Sequence, residues 1–317
     1  MAKRAISPKS GKKKSDMTVT MIMVLVLAVI IGAFFFFNKS QDKTPVVKKS
    51  VVQIKVEKVV PTPVVVNKPV VPPVVLPVKP KPVVEQKIVA EGSAGKIAFV
   101  LDDWGNSMRN CKYLKQIDAP LAIAILPRLP HSNDIAKCAS LYDKTIMLHL
   151  PLQAYHNNDP YPTDYIIKTD MKPAKVEKLV NAILDKMPYI EGVNNHMGSR
   201  ATEDKNLMTL ILRRLKKKNL FFVDSMTAPN HSVCNEIAKD LNLSFARRDV
   251  FLDNINTREE ILNQMQSLMN KAKTKGYAIA IGHDRELTMK IIAEQIPLLR
   301  KQGFAIVSVK DLLKSQK

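Results

Sequence analysis

From residue 96 onward, short apolar runs alternate with longer stretches whose apolar positions recur every three or four residues. The short runs read as buried strands: 97–101 (IAFVL), 121–126 (LAIAIL), 145–150 (TIMLHL), 191–195 (EGVNN), 220–224 (LFFVD), 243–247 (LSFAR), 277–281 (YAIAI) and 304–308 (FAIVS). Between them the helical period predicts helices at Asn106–Gln116, Asn133–Ala139, Pro173–Lys186, Asp204–Lys217, Ser232–Asp240, Arg258–Thr274 and Leu287–Lys301. Strands that alternate with helices are parallel β/α units. Seven or eight such units in so short a stretch predict an α/β fold closed as a compact (β/α)7-8 barrel rather than an open sheet.

The first 95 residues follow neither period. Met17–Phe37 is a run of 21 residues without a charge, and a membrane-spanning helix needs about 20. Residues 1–16 carry six Lys and Arg with Asp16 as their one acid. Positive charge stays on the cytoplasmic side, which predicts a single-pass signal anchor with its N-terminus in the cytoplasm. The competing reading, a cleaved signal peptide, would have a shorter apolar core and a small-residue cleavage site, and none follows Phe37. Residues 38–95 form a linker dominated by Val, Pro and Lys, densest from Thr44 to Glu91. Recurrent proline blocks helix and ladder and favours polyproline II, so its valines do not predict strands. At about 3.1 Å per residue, some 45 residues of this kind reach on the order of 140 Å. An anchor, a stiff tether and a folded domain over 96–317 suggest a Gram-negative inner-membrane protein whose domain lies in the periplasm.

The formal net charge is +20. Residues 1–95 contribute +11 of it and the remainder +9. An exported basic domain suits anionic envelope polymers or ordinary solubility, and no interleaved aromatic pattern supports nucleic-acid binding. No GxGxxG or P-loop occurs, which disfavours nucleotides. Cys111, Cys138 and Cys234 all fall in expected helices. Buried thiols are the plain expectation, a Cys111–Cys138 bond stays open, and the lack of CxxC argues against a thiolate metal site.

Chemistry gathers where the strands end. The first strand runs into Asp102-Asp103, the third into His149, and the fourth carries Asn194-Asn195-His196 with Ser199 just beyond. The fifth ends in Asp224 and the seventh runs into Gly282-His283. A barrel brings these ends to one mouth, where β/α enzymes build their sites. Adjacent carboxylates such as Asp102 and Asp103 repel unless a metal, a cation or a shared proton offsets them. Taken singly, each residue has a plainer role: a helix cap for either Asp, a satisfied core group for His149, a turn cap for Asp224. Together they point to a site. The other histidines, His131, His156 and His231, fall in expected loops.

The stretches IAFVLDDWG, AILP, LHLPL, GVNNHMGSRAT, FFVDSMT, FLDN and AIAIGH, with Leu287-Thr288, resemble the divergent polysaccharide deacetylase family across 96–313. That family is distantly related to carbohydrate esterases with a distorted β/α barrel. The resemblance implies a divalent metal, usually zinc, that activates water against an acetamide, with a carboxylate base and a histidine acid. Residue by residue, it implies Asp102 as base, and Asp103, His149 and His196 as metal ligands. It implies His283 as general acid, oriented by a carboxylate such as Asp224. Asn194, Asn195 and Ser199 would hold substrate hydroxyls or the oxyanion. Four departures stand out. Gln153 replaces the second histidine of the HxxxH pair of ordinary members, the NNHMGS block replaces their RxPxG motif, Asp284 follows Gly282-His283 where the divergent family often has a second histidine, and the aspartate motif reads DDxG.

The leading expectation is therefore a metal-dependent hydrolase removing N-acetyl groups from an envelope glycan such as peptidoglycan. The rival is a barrel without turnover that binds glycan or an envelope partner at the same mouth. A third reading gives the tether the main role, linking membrane to cell wall.

Overall fold

A computed structural model describes residue 90 and residues 92–156 and 161–314. The anchor expected at 17–37 and nearly all of the linker expected over 38–95 lie outside the described residues. Among the described residues, no helix is long and apolar enough to cross a membrane.

The strands are β1 (Gly95–Trp104), β2 (Ala122–Ile125), β3 (Thr145–Leu152), β4 (Gly192–Met197), β5 (Phe221–Asp224), β6 (Phe245–Arg247), β7 (Val250–Phe251), β8 (Tyr277–His283) and β9 (Phe304–Ile306). The helices are α1 (Cys111–Gln116), α2 (Ser132–Leu141), α3 (Pro173–Leu184), α4 (Lys205–Lys217), α5 (Cys234–Asp240), α6 (Arg258–Lys275), α7 (Glu286–Lys301) and α8 (Val309–Lys314). All eight expected strands and all seven expected helices are present. The sequence reading missed β7, with two residues, and α8, with six. Neither is long enough to display a period.

Every ladder is parallel, and the sheet runs in the order β6-β5-β4-β3-β2-β1-β8-β7. β9 pairs with the first residues of β1, on Gly95 to Ile97, where β2 has not yet begun. The sheet curls as a half-barrel and does not close by a further ladder. Its two edge strands, β6 and β7, are consecutive in the chain, and the segment between them steps across the seam. There the Arg248 N–H donates to Asp224 O and the Asp249 N–H to Ile279 O. The run 245–251 thus pairs with β5 in its first part and with β8 in its second, and spans the two ends of the sheet.

Side-chain alternation sorts the core into two layers. Ile97, Phe99 and Leu101 of β1 face outward and pack with the helices. Ala98 and Val100 face inward with Ala122, Ala124, Met147, Val223, Ile279 and Ile281. Val309, Leu312 and Leu313 of α8 plug the end of the interior where the strands begin. Burying each of the larger inward residues stabilises the fold by roughly 1.5–3 kcal/mol. The covering helices are amphipathic for the same reason. In α4 the buried positions are Leu207, Met208, Ile211, Leu212 and Leu215, and the Asp204 carboxylate caps the helix by accepting from Leu207 N–H at 2.9 Å.

Cys111 and Cys138 form a disulfide that ties α1 to α2 across 27 residues, with Cα atoms 6.6 Å apart. The sequence had left this bond open beside the expectation of buried thiols. Closing a loop of that length in the unfolded chain is worth roughly 3–4 kcal/mol by chain entropy. Cys234 is the buried free thiol.

Gly95 starts β1 at φ +119°, and a Cβ there would sit 2.5 Å from the Ala272 carbonyl oxygen on α6. Gly95→Ala is expected to destabilise the domain by about 1–3 kcal/mol, read from the midpoint of denaturant unfolding. An unchanged midpoint would show that α6 yields there at no cost.

Candidate metal centre

The β-bulge in β1 creates the site. Leu101 pairs with Ile123 and Trp104 with Ile125, so β1 carries one residue more than β2 across this step. Asp103 takes the extra place with φ 63°. In a regular strand Asp102 would follow Ala98 and Val100 inward while Asp103 turned out to the helices. The bulge reverses the second direction, so both carboxylates face the mouth and Trp104 returns to the outer core. Parallel register supplies the neighbours. Asp102 lies beside His283 of β8, and His149 of β3 lies beside Asn194 of β4, with His196 one inward position further on.

Three donor atoms converge. Asp103 Oδ1 lies 3.2 Å from His149 Nε2 and 3.0 Å from His196 Nδ1, and the two ring nitrogens are 3.2 Å apart. A tetrahedral ion with ligand bonds of 2.0–2.1 Å spaces its donors by about 3.3 Å, so this triangle fits one ion. Asp103 Oδ1 is buried and makes no well-formed hydrogen bond, as suits an atom whose lone pairs point at a shared centre. Two imidazoles and one carboxylate, with a cavity on the fourth side, match the donor set of a catalytic zinc site. Where ordinary relatives use a second histidine on the third strand, this chain brings His196 from β4.

Asn194 organises the centre from behind. Its Nδ2 donates to Asp102 Oδ1 at 2.8 Å and to Ser225 Oγ at 3.2 Å, which leaves its carbonyl facing His149. The His149 Nδ1–H donates to Asn194 Oδ1 at 2.8 Å, so the free lone pair is on Nε2, toward Asp103.

The charges are coupled. Burial alone would pull His149 down, but the Asp102 and Asp103 carboxylates hold it up at about 9 when no metal is present. Burial would raise Asp103, yet its contacts with His149 and His196 keep it well below the usual carboxylate range. Asp102 is shifted upward, first by burial and further by the charge of Asp103, against the opposing pull of His149. Burial would lower His283, and the hydrogen bond and charge of Asp253 outweigh that and raise it.

Asp253 corrects the expectation for Asp224. The carboxylate beside His283 is Asp253, just after β7. It accepts from His283 Nδ1 at 2.8 Å, from His283 N–H at 3.0 Å and from Thr288 Oγ1 at 2.6 Å. Asp224 is fully buried on the outer face of β5. It accepts from Met226 N–H at 2.8 Å and Ser232 Oγ at 2.6 Å, so it caps the β5–α5 loop. Asn194 is likewise buried, and its amide is committed to His149, Asp102 and Ser225. Asn195 lines the cavity, but its amide clamps the β4 and β5 loops through Ser225 N, Met197 O and Thr227 Oγ1. Ser199 accepts from Tyr155 N–H at 3.1 Å and is not among the cavity's lining residues. The mouth itself is a cavity of about 270 Å³ that exposes Asp102, Asp103, His149, His196, His283 and, from the run after β6, Arg248 and Phe251.

A curled parallel sheet with an Asp/His/His cluster and an Asp–His pair at its mouth defines an α/β half-barrel with a candidate metal centre. Residues 99–313 match the divergent polysaccharide deacetylase family, and the chain belongs to that family. It is 29% identical over 203 residues to the uncharacterized protein YibQ of Escherichia coli (strain K12), covering 64% of this chain and 63% of that one. The chain thus spans just under two thirds of that relative's length. An uncharacterized protein of Haemophilus influenzae is 30% identical over 222 residues, 70% of this chain and 78% of that one. Among solved structures, the uncharacterized protein ATU2773 from Agrobacterium tumefaciens C58 superposes with a TM-score of 0.65 at 20% identity, over 69% of this chain and 89% of that one, and so shares the fold.

Asp253→Asn removes the leading contributions that raise the His283 pKa, leaving the burial that lowers it and the smaller pull of Asp103 and Asp102. The His283 imidazole is therefore expected to titrate at lower pH in Asp253→Asn, followed by its NMR ring resonances, and unchanged in Asp224→Asn. A shift in the second variant and none in the first would reverse the assignment.

Proposed function

We propose that the chain is a metal-dependent deacetylase of an N-acetylated envelope polysaccharide such as peptidoglycan. The observation that carries this is the triangle of Asp103 Oδ1, His149 Nε2 and His196 Nδ1, with sides of 3.0–3.2 Å, set beside two further proton-handling groups. Membership of the family supports the same reading. A divalent ion held there, zinc by the donor set, would polarise an acetamide carbonyl and acidify a water.

The chain's own groups divide the proton work. Asp102 is buried, and its raised proton affinity suits it to take a proton from the attacking water. Asn194 holds one Asp102 oxygen and leaves the other, 3.6 Å from His149 Nε2, toward the mouth. His283 keeps a proton because Asp253 faces its Nδ1, and its Nε2 lies on the mouth side, 3.8 Å from Asp103 Oδ2. It is placed to deliver that proton to the departing amine. Two titrating groups whose environments assign them opposite duties are what amide hydrolysis near neutral pH requires.

The same reading places the folded domain in the periplasm, held at the inner membrane by Met17–Phe37 and spaced from it by the proline-rich linker. Cell fractionation should keep the full chain in alkaline-washed membranes and release a form lacking residues 1–37. Release of both removes the anchor.

The test of the activity is metal content together with acetate release from N-acetylated chitooligosaccharides and peptidoglycan. The full chain is expected to hold one zinc per molecule. His149→Ala and His196→Ala should both lose it, and Asn194→Ala should bind it about 10–100-fold more weakly. Unchanged zinc in either histidine variant removes that residue from the centre. A chain that binds no metal and releases no acetate is not a deacetylase, and the mouth is then a binding site.

A further inference from the structure

Arg248 is the one Lys or Arg among the residues lining the mouth. Its position follows from the seam. The chain passes from β6 to β7 at Arg248-Asp249, hydrogen-bonded to β5 on one side and β8 on the other, and the side chain reaches the mouth from the residue directly after β6. Its Nε donates to Ser225 O at 2.7 Å and its Nη2 to Met226 O at 3.2 Å. These bonds consume one edge of the guanidinium. The second edge, formed by Nη1 and the other Nη2 hydrogen, has no hydrogen-bond partner among the described residues. The Phe251 ring supports the group from below, 4.7 Å from the guanidinium carbon, and the other neighbour of that ring is the His283 imidazole at 5.0 Å.

Nearby carboxylates do not neutralise it. Asp102, Asp224 and Asp249 are close enough to feel its charge, yet none forms an ion pair with it. Each is committed elsewhere: Asp102 to Asn194, Asp224 to Met226 N–H and Ser232, Asp249 to Lys275 and Ile279 N–H. A fixed, half-buried guanidinium with one planar edge open is complementary to a carboxylate, which it can bind through two parallel hydrogen bonds. Its side-chain freedom is already lost in the free protein, so little ordering cost opposes that binding. A second cavity, of about 390 Å³, shares Arg248 and Phe251 with the first, so the two residues stand at the border between the cavities.

We propose that Arg248 is a subsite for a substrate carboxylate, so that the glycan this site selects carries carboxylates as well as acetamides. The inference rests on the deacetylase reading of the same mouth and names its substrate class. A purely structural role would need only the Nε and Nη2 bonds that hold the β5 loop. A role in orienting Asp102 would act on every substrate alike.

The test compares three probes on the full chain by calorimetric titration: a neutral N-acetylated chitotetraose, a muramic-acid-containing tetrasaccharide with free carboxylates, and the same tetrasaccharide as its methyl ester. The wild-type chain is expected to bind the free acid roughly ten- to a hundredfold more tightly than the ester. In Arg248→Gln, with folding checked by thermal melting, that ratio should fall to near one. If Arg248→Gln does not fold, Arg248→Lys serves in its place; it keeps the charge but loses the planar fork, and its ratio should fall severalfold. Equal binding of acid and ester by the wild type overturns the inference while leaving the deacetylase reading intact. So does a ratio that survives the substitution. Failure to bind any of the three overturns the glycan reading and this inference with it.

Discussion

A single extra residue in β1 decides what the mouth of this half-barrel can do. Strand geometry sends successive side chains to opposite faces, so two adjacent aspartates in a regular strand cannot both serve one site. The bulge between Leu101 and Trp104, with Asp103 in the left-handed region, turns the second carboxylate inward. A non-glycine residue held there costs on the order of 1–2 kcal/mol. The fully buried outer face around Trp104 and the ladders to β2 and β8 hold it in place. Without the bulge, His149 and His196 would have no carboxylate between them, and Asp102 would be the only acid at the mouth.

That arrangement concentrates charge, and the surrounding residues answer it on both flanks. Asp102 and Asp103 face His149, His196 and His283, and two of these imidazoles have anchors of their own. Asn194 holds His149, and Asp253 holds His283. The two anchors differ in kind. A neutral amide fixes the tautomer of His149 without adding charge, which leaves its Nε2 lone pair for a cation. An ionised carboxylate on His283 stabilises the protonated ring. Similar residues on β3 and β8 are thereby set to different tasks, and only the second imidazole is poised to give up a proton.

Much of this was legible because strand period and strand ends are strong signals. The eight readable strands and the convergence of Asp102, Asp103, His149, His196 and His283 follow from apolar runs and what succeeds them. The errors share a cause. Asp224 ends the readable strand FFVD and so drew the role of orienting His283, but parity places it with Phe222 on the outer face, while Val223 and Ser225 face inward. Which face is inner is set by the neighbouring strands and is not a property of the run itself. Asp253 and Arg248 flank β7, whose two residues carry no period. The FLDN stretch stood out by resemblance alone, and its link to His283 spans 30 positions.

The seam explains why those two residues lie where they do. A closed barrel offers only strand ends to its mouth, and each strand end contributes one or two inward side chains. Here the run from β6 to β7 passes between the two ends of the sheet, pairing with β5 in its first part and β8 in its second, and its Arg248 and Asp249 N–H groups donate to Asp224 O and Ile279 O. Arg248, between the two short strands, and Phe251, within β7, line the mouth from that run, and Asp253 follows two residues later. The run that joins the ends of the sheet thus gives the site a side wall carrying its own cation and aromatic ring.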